Sequence, residues 1–471
     1  MKALVAVVVL LACHHGPAVT STAASPLVGT WHGSVEIPGQ SLAIDVKFAS
    51  EDAGTIDVPA QGVAGKALSK IMVSGDAVAF EFPEVQASFH GKLAGEAITG
   101  KMEQGGMTFP FKLERRAASS QASAPPVRSC ATPVPDEPLP YRAVDVAFDS
   151  TGGTRLAGTL ALPDVAGPAS VVVLVTGSGP QDRDECVLGV RPFRQLAESL
   201  ARHGIASLRY DDRGTAKSTG TFRGATTADF ADDAEAAVRF LRTRAEIDPK
   251  RIGILGHSEG GMVAPLVASR DPGVAFIVLW AAPGIAMETI HVEQTEAMMR
   301  ADGAPESATR EAIARETAVI AALRASHDDA SFEIALRDAA TRLGVGDRDA
   351  WVRQQLHESG GPWIRWFLGY SPAATLAKVR CPVLALGGSV DTQVPPRDNL
   401  PALREALAHD ADATVRELPG LNHLFQRAKT GGPSEYTSLP ATIDDSVLEA
   451  TSSWIAERYA TLRHAGPPGS R

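Results

Sequence analysis

The sequence predicts an α/β protein whose main unit is a mostly parallel sheet with helices on both faces, preceded by a smaller all-β unit. Three observations carry this. From residue 141 onward, short apolar runs alternate with stretches of helical period, the pattern of strands joined by crossover helices. Between residues 26 and 115 the period is two, with Gly, Asp and Pro at short intervals. At residues 251–263, RIGILGHSEGGMV, an apolar strand runs directly into a serine framed by glycines.

At the N-terminus, MKALVAVVVLLAC places one lysine before about ten apolar residues, too few to span a bilayer, and reads as a signal peptide. Its LLAC end resembles a lipoprotein signal, in which the cysteine is lipidated and becomes the first residue. Cys13 is therefore the expected anchor, with cleavage within AVTSTAAS as the alternative. Residues 1–25 are read as signal and tether, and the chain as exported, either periplasmic or membrane-anchored.

Residues 26–115 contain LAIDVKFAS, AVAFEFPEV, ASFHGKLAG and MTFPFKLER, alternating apolar and polar positions expected of a small β domain. The opening VGTWHGSVEI resembles the Gly-x-Trp start of lipocalin-like barrels, although a tryptophan there serves equally well as core. Residues 116–140 are rich in Ala, Ser and Pro and poor in large apolar residues, the composition of a semi-rigid linker.

The main domain is placed at 141–464. YRAVDVAFDS and TRLAGTLALPD read as a hairpin, SVVVLVTG as a buried strand, FRQLAESLARHG as an amphipathic helix stopped by Gly204, and IASLRYDD as the next strand. Phe230, Ala234, Ala237, Val238 and Leu241 form one stripe of a following helix. RIGILG, AFIVLWAA, PVLALGG and ATVRELPG supply further strands, and SVLEATSSWIAERYATL a closing helix. The helical stretch at about 285–370 interrupts this alternation and is read as a cap over the sheet's carboxyl edge. Its Met298, Met299, Trp363, Trp366 and Phe367 either line an apolar acyl pocket or pack the cap onto the core.

Gly256-His-Ser258-Glu-Gly260 fits G-x-S-x-G at a strand-to-helix corner, where a Cβ on either glycine would make strand and helix collide. Ser258 is then the candidate nucleophile. A serine hydroxyl needs a base, and the base an orienter, in the chain order Ser, acid, His expected of an α/β-hydrolase fold. Asp391, just past the strand PVLALGG, supplies the acid. His423, a few residues after ATVRELPG, supplies the base, whereas His257 should point away from the elbow. Neutral His423 would take the Ser258 proton and return it to the leaving group, with Asp391 fixing the imidazole tautomer. The oxyanion then needs donors, assigned to the backbone N–H of Glu259 and to Ser178 in the loop TGSGPQDRDE.

Together TGSGPQDRDE, RYDDRGTAKSTG, GILGHSEGG, WFLGYSPAATLAKVRCPVLALGGSVDTQVPP and LPGLNHLFQ resemble the bacterial α/β-hydrolase serine carboxylesterases that carry a small N-terminal β domain. The resemblance covers about residues 141–463. It implies an α/β-hydrolase fold, Ser258, Asp391 and His423 as triad, and hydrolysis of short-chain carboxylic esters. Two residues depart from the pattern: Thr176 stands where a histidine usually opens the oxyanion loop, and Ala216 replaces a frequent glycine.

A net charge of −10 without any basic cluster argues against nucleic acid as a partner. No ligand-spaced Cys or His cluster and no nucleotide-binding glycine pattern is present, so neither metal nor cofactor is expected. The expected partner is a small ester. A peptidase, thioesterase or acyltransferase would use the same triad, and a non-catalytic surface binding protein is the reading from a different class. Four cysteines leave pairing open: with Cys13 lipidated, a Cys130–Cys186 disulfide or free thiols are both compatible with export, and Cys381 reads as a small core residue.

Overall fold

The computed structural model describes residues 25–37, 40–58, 63–85, 87–104, 107–115, 130 and 138–459. Cys13, the expected signal segment and most of the expected linker lie outside the described residues.

The first unit is an antiparallel sheet of β1 (Gly29–Ile37), β2 (Gln40–Phe48), β3 (Gly54–Val58), β4 (Val63–Ala67), β5 (Ser69–Ser74), β6 (Ala77–Phe82), β7 (Ala87–Ala94), β8 (Ala97–Gln104) and β9 (Met107–Arg115). Their order is β4-β3-β2-β1-β9-β8-β7-β6-β5, so β1 closes against both its successor and the last strand. Alternate side chains fill the interior with rings: Phe80 stacks on Phe89 at 4.6 Å, and Phe111 meets Phe89 edge-on at 5.3 Å. Trp31 belongs to this core. It is fully buried, its indole N–H donates to the Leu27 carbonyl at 2.8 Å, and the Arg115 guanidinium covers its ring.

The second unit is an eight-stranded sheet of order β10-β11-β13-β12-β14-β15-β16-β17. Here β10 is Arg142–Asp149, β11 Arg155–Leu162, β12 Ala169–Val175, β13 Ala206–Tyr210, β14 Ile247–His257, β15 Ile277–Trp280, β16 Val383–Gly388 and β17 Ala413–Leu418. The β10–β11 hairpin and the β11–β13 pair are antiparallel, and all later pairs are parallel.

Near-continuous apolar runs are required because both faces are covered, and the period of two sorts them. Val171, Val173, Ile252, Ile254, Ile277 and Leu279 point into the core shared with α2 (Thr227–Leu241) and α3 (Gly260–Arg270). Val172, Leu174, Leu255, Val278 and Trp280 point to the other core, under α1 (Pro192–Arg202) and α11 (Asp445–Tyr459). Burying each such side chain is worth about 1.5–3 kcal/mol. A one-residue slip of β12 would exchange its two faces.

The chain leaves β12 to form β13 on one side, then returns to place β14 on the other. At this switch point the loops leaving β12 and β14 diverge to opposite faces and open a crevice at the carboxyl edge. Between β15 and β16 the chain builds α4 (Met287–Ala301), α5 (Glu306–Arg324), α6 (Asp329–Arg342), α7 (Arg348–Ser359) and α8 (Pro362–Leu368), with a hydrophobic core of its own. After these come the short α9 (Ala373–Leu376) and, between β16 and β17, α10 (Pro396–Ala406).

Cys130 and Cys186 form a disulfide with Cα atoms 5.8 Å apart. It ties Cys130, within the expected linker, to the loop that follows β12. Cys381 is half-buried against the main core, and burial pushes its thiol up to about 12.

Candidate active site

Ser258 sits at the apex between β14 and α3 with φ +54°, a left-handed conformation that costs an L-residue about 1–2 kcal/mol. The corner is held by its own backbone: the Ser258 N–H donates to the Trp280 carbonyl at 2.9 Å, and the Gly261 N–H to the Ser258 carbonyl at 2.9 Å. The flanking glycines are steric necessities. A Cβ on Gly256 would stand 1.8 Å from the Gly260 carbonyl oxygen, and one on Gly260 would stand 2.3 Å from that of Val175.

Asp391 follows β16 and His423 follows β17. Both are buried, and the Asp391 Oδ2 lies 2.8 Å from the His423 Nδ1. The other carboxylate oxygen accepts the backbone N–H groups of Gln393 and Val394 at 2.8 and 2.9 Å, which fixes its rotamer. Ser258, His423, Glu259 and Ser178 line one cavity of about 340 Å³, with Asp391 behind His423. Thus the fold brings together the residues that the sequence singles out.

The loop after β12, expected to hold an oxyanion donor, is organised by carboxylates. The Gly177 N–H donates to Glu185 Oε1 at 2.6 Å and is thereby occupied, leaving Ser178 as the next amide along the loop. The Thr176 hydroxyl and the Gln181 N–H donate to Asp212, each at 2.9 Å. Threonine thus ties the start of the loop to the end of β13. Glu259 heads α3, where the first N–H groups have no intrahelical acceptor. Its carboxyl is buried and accepts the Thr227 hydroxyl at 2.6 Å and the Trp363 indole N–H at 2.9 Å, joining the elbow to the cap; burial pushes its pKa up. Ala216 has φ +46°, the region that favours glycine, so the alanine occupies this turn under strain.

The cap contributes Met287, Ile290, Trp363 and Phe367 to the cavity wall. Of the five cap residues considered for an acyl pocket, Trp363 and Phe367 line the cavity that holds Ser258. Trp366 instead stacks on Tyr370 at 5.1 Å within the cap core, and Met299 lines a separate cleft between α4, α5 and α7. Met298 lies on α4 without lining the Ser258 cavity. Helical period alone could not separate these faces, because the cap packs on itself as well as on the sheet.

Asp212 and Glu185 were not identified from the sequence, and neither was the bond from the Trp363 indole to Glu259. The acidic density of QDRDE and YDD was the available signal. Burial raises the Asp212 carboxyl from 3.8 to about 8, with Glu185 and Glu259 adding to the effect. The folded state therefore holds a proton that the unfolded state releases at lower pH, so this contribution to stability is present below 3.8 and is lost as pH rises to about 8. Asp212→Asn should flatten that part of the stability curve. Chemical denaturation of both proteins from pH 4 to 9 checks it, and parallel curves would contradict it.

The model of the X-Pro dipeptidyl-peptidase (S15) family matches residues 151–415, more than half of the chain. The match includes Ser258 and Asp391 and ends before His423. Esterase EstD of Thermotoga maritima is 33% identical over 139 residues, 30% of this chain and 33% of that protein. Thiohydrolase apmlB of Arthrinium phaeospermum is 33% identical over 87 residues, 18% of this chain and 28% of that protein. This chain thus spans about a third of the length of these two curated relatives. Among solved structures, the Pyrococcus furiosus esterase Pf2001 superposes with a TM-score of 0.43 at 15% identity, over 68% of this chain and 92% of that one.

Proposed function

The chain belongs to the X-Pro dipeptidyl-peptidase (S15) family, and from that premise we propose that it is a serine hydrolase that cleaves carboxylic esters through an acyl-enzyme on Ser258. The observation that carries this reading is the buried Asp391–His423 contact beside a serine held at positive φ in the same cavity. His423 accepts the Ser258 proton as the hydroxyl oxygen attacks the acyl carbon, and the new C–O bond places negative charge on the former carbonyl oxygen. The N–H groups of Glu259 and Ser178 receive that charge. His423 then protonates the departing alkoxide, and water repeats the sequence to release the acid.

The similarity to EstD supports an ester substrate, and the apolar wall of Met287, Ile290 and Phe367 suits an acyl chain. The family match favours a second reading, cleavage of X-Pro dipeptides from peptide N-termini. A panel of p-nitrophenyl esters of graded acyl length, thioesters and X-Pro dipeptidyl anilides separates them. Esters are expected to give the highest kcat/KM, and higher values for the anilides would establish the peptidase instead.

Export and anchoring through Cys13 form part of the proposal, supported by the LLAC signal and by a disulfide suited to an oxidising compartment. The full-length protein is expected to partition into detergent, and Cys13→Ala to leave it in the aqueous phase. Equal partitioning would remove the anchor.

A further inference from the structure

Behind the triad lies a second ionisable pair for which the chemistry above has no use. His257, the residue before the nucleophile, turns into the protein, and its Nδ1 lies 2.8 Å from Glu185 Oε1. Its Nε2 lies 2.9 Å from the backbone carbonyl oxygen of His423. Both side chains are buried. A neutral imidazole has one N–H and one lone pair, and a lone pair 2.8–2.9 Å from a carboxylate or carbonyl oxygen is repulsive. With Glu185 ionised, the two acceptors require two N–H groups, which only the imidazolium has; a proton kept on the Glu185 carboxyl would instead donate to a lone pair on Nδ1. The same Glu185 oxygen accepts the Gly177 N–H at 2.6 Å, while the other oxygen is buried with no hydrogen-bond partner among the described residues. Glu185 itself is held at φ +53°, next to the disulfide-bonded Cys186.

We propose that Glu185 and His257 form a buried carboxylate–imidazolium pair that acts as a positioning device, fixing the oxyanion loop through Gly177 and the loop of the catalytic histidine through its carbonyl, both in register with Ser258. The pair reaches three separate connections, those after β12, β14 and β17. The ionisable groups around it are His423, whose ring lies 4.9 Å from that of His257, Asp391 beyond it, and Asp212 on the side of Glu185. Burial works against the charge on His257, but Glu185 and the His423 carbonyl outweigh it, and its pKa is raised. A misplacement of about 1 Å in catalytic groups costs roughly 10²-fold in rate, so a device that prevents it acts on kcat.

The catalytic half of this inference rests on the serine-hydrolase reading, whereas the charge state rests on the geometry of the pair and the charges around it and is measured without turnover. Full-length protein labelled with ¹⁵N-histidine is examined by long-range ¹H–¹⁵N correlation from pH 6 to 8, with His257 assigned by its absence from the His257→Gln spectrum. Protonation of both ring nitrogens across that range is expected; a lone-pair nitrogen signal at pH 7 would overturn the charged pair. Kinetically, Glu185→Gln and His257→Gln are each expected to lower kcat roughly 10²-fold with KM changed about threefold or less. The double variant Glu185→Gln/His257→Gln should exceed either single variant, because each single change strands a buried charge. Losses that multiply in the double variant, or full kcat in Glu185→Gln, would overturn the positioning role. Wild-type protein inactive on every substrate, yet with both nitrogens protonated, would instead refute the hydrolase reading and leave the charged pair standing.

Discussion

Ser258→Ala is expected to lower kcat/KM for a soluble ester about 10⁴-fold or more, a barrier increase of about 5.5 kcal/mol, while the protein remains folded. The magnitude follows from what is removed. Alanine keeps the Cβ and the backbone bonds that hold the corner, so the elbow should survive. The oxyanion donors and the cavity also survive, which leaves residual acceleration over water but no oxygen to acylate. Thermal unfolding close to wild type, with turnover lost, is the expected pair of results. Near wild-type turnover would remove Ser258 from the chemistry.

The second large effect is predicted for Asp391→Asn, where geometry dictates the outcome. One oxygen of Asp391 accepts two backbone N–H groups, so an asparagine must keep its carbonyl oxygen there and turn its NH₂ towards the His423 Nδ1. That nitrogen must then act as acceptor, which moves the ring proton to Nε2, the nitrogen that should take the proton of Ser258. The substitution thus installs the wrong tautomer without disturbing the fold. A kcat reduction of about 10⁴-fold is expected, with KM much less affected. A loss below about tenfold would show that Asp391 does not orient the base.

How far the sequence led can be judged from particular residues. The strands of the main sheet were legible because parallel strands covered on both faces must be nearly continuously apolar, as residues 171–175 and Val383–Gly388 are. Ser258, Asp391 and His423 were legible because each follows a strand at the sheet's carboxyl edge, in a fixed order. The Glu185–His257 pair was not, since 72 residues separate its members and only the switch point between β12 and β14 brings them together. His257 was expected to point away from the elbow and does, but its destination depends on tertiary structure. The disulfide was undecidable for the same reason: spacing left its partners open, and the path of the loop after β12 brings Cys130 and Cys186 within bonding distance. In the cap, Trp363 and Trp366 lie three residues apart, yet one meets Glu259 and the other packs on Tyr370. Hydrophobicity does not distinguish those two surroundings.

The central claim is that Ser258 is the nucleophile of an acyl-enzyme, and covalent trapping tests it most directly. Purified protein is treated with a fluorophosphonate, its remaining esterase activity is followed, and the adduct is located by mass spectrometry of the intact and digested chain. The account predicts one adduct per chain, on the peptide containing Ser258, forming in step with loss of activity and absent from Ser258→Ala. Esterase activity persisting in fully labelled protein, or inactivation with the adduct on a different residue, would contradict it.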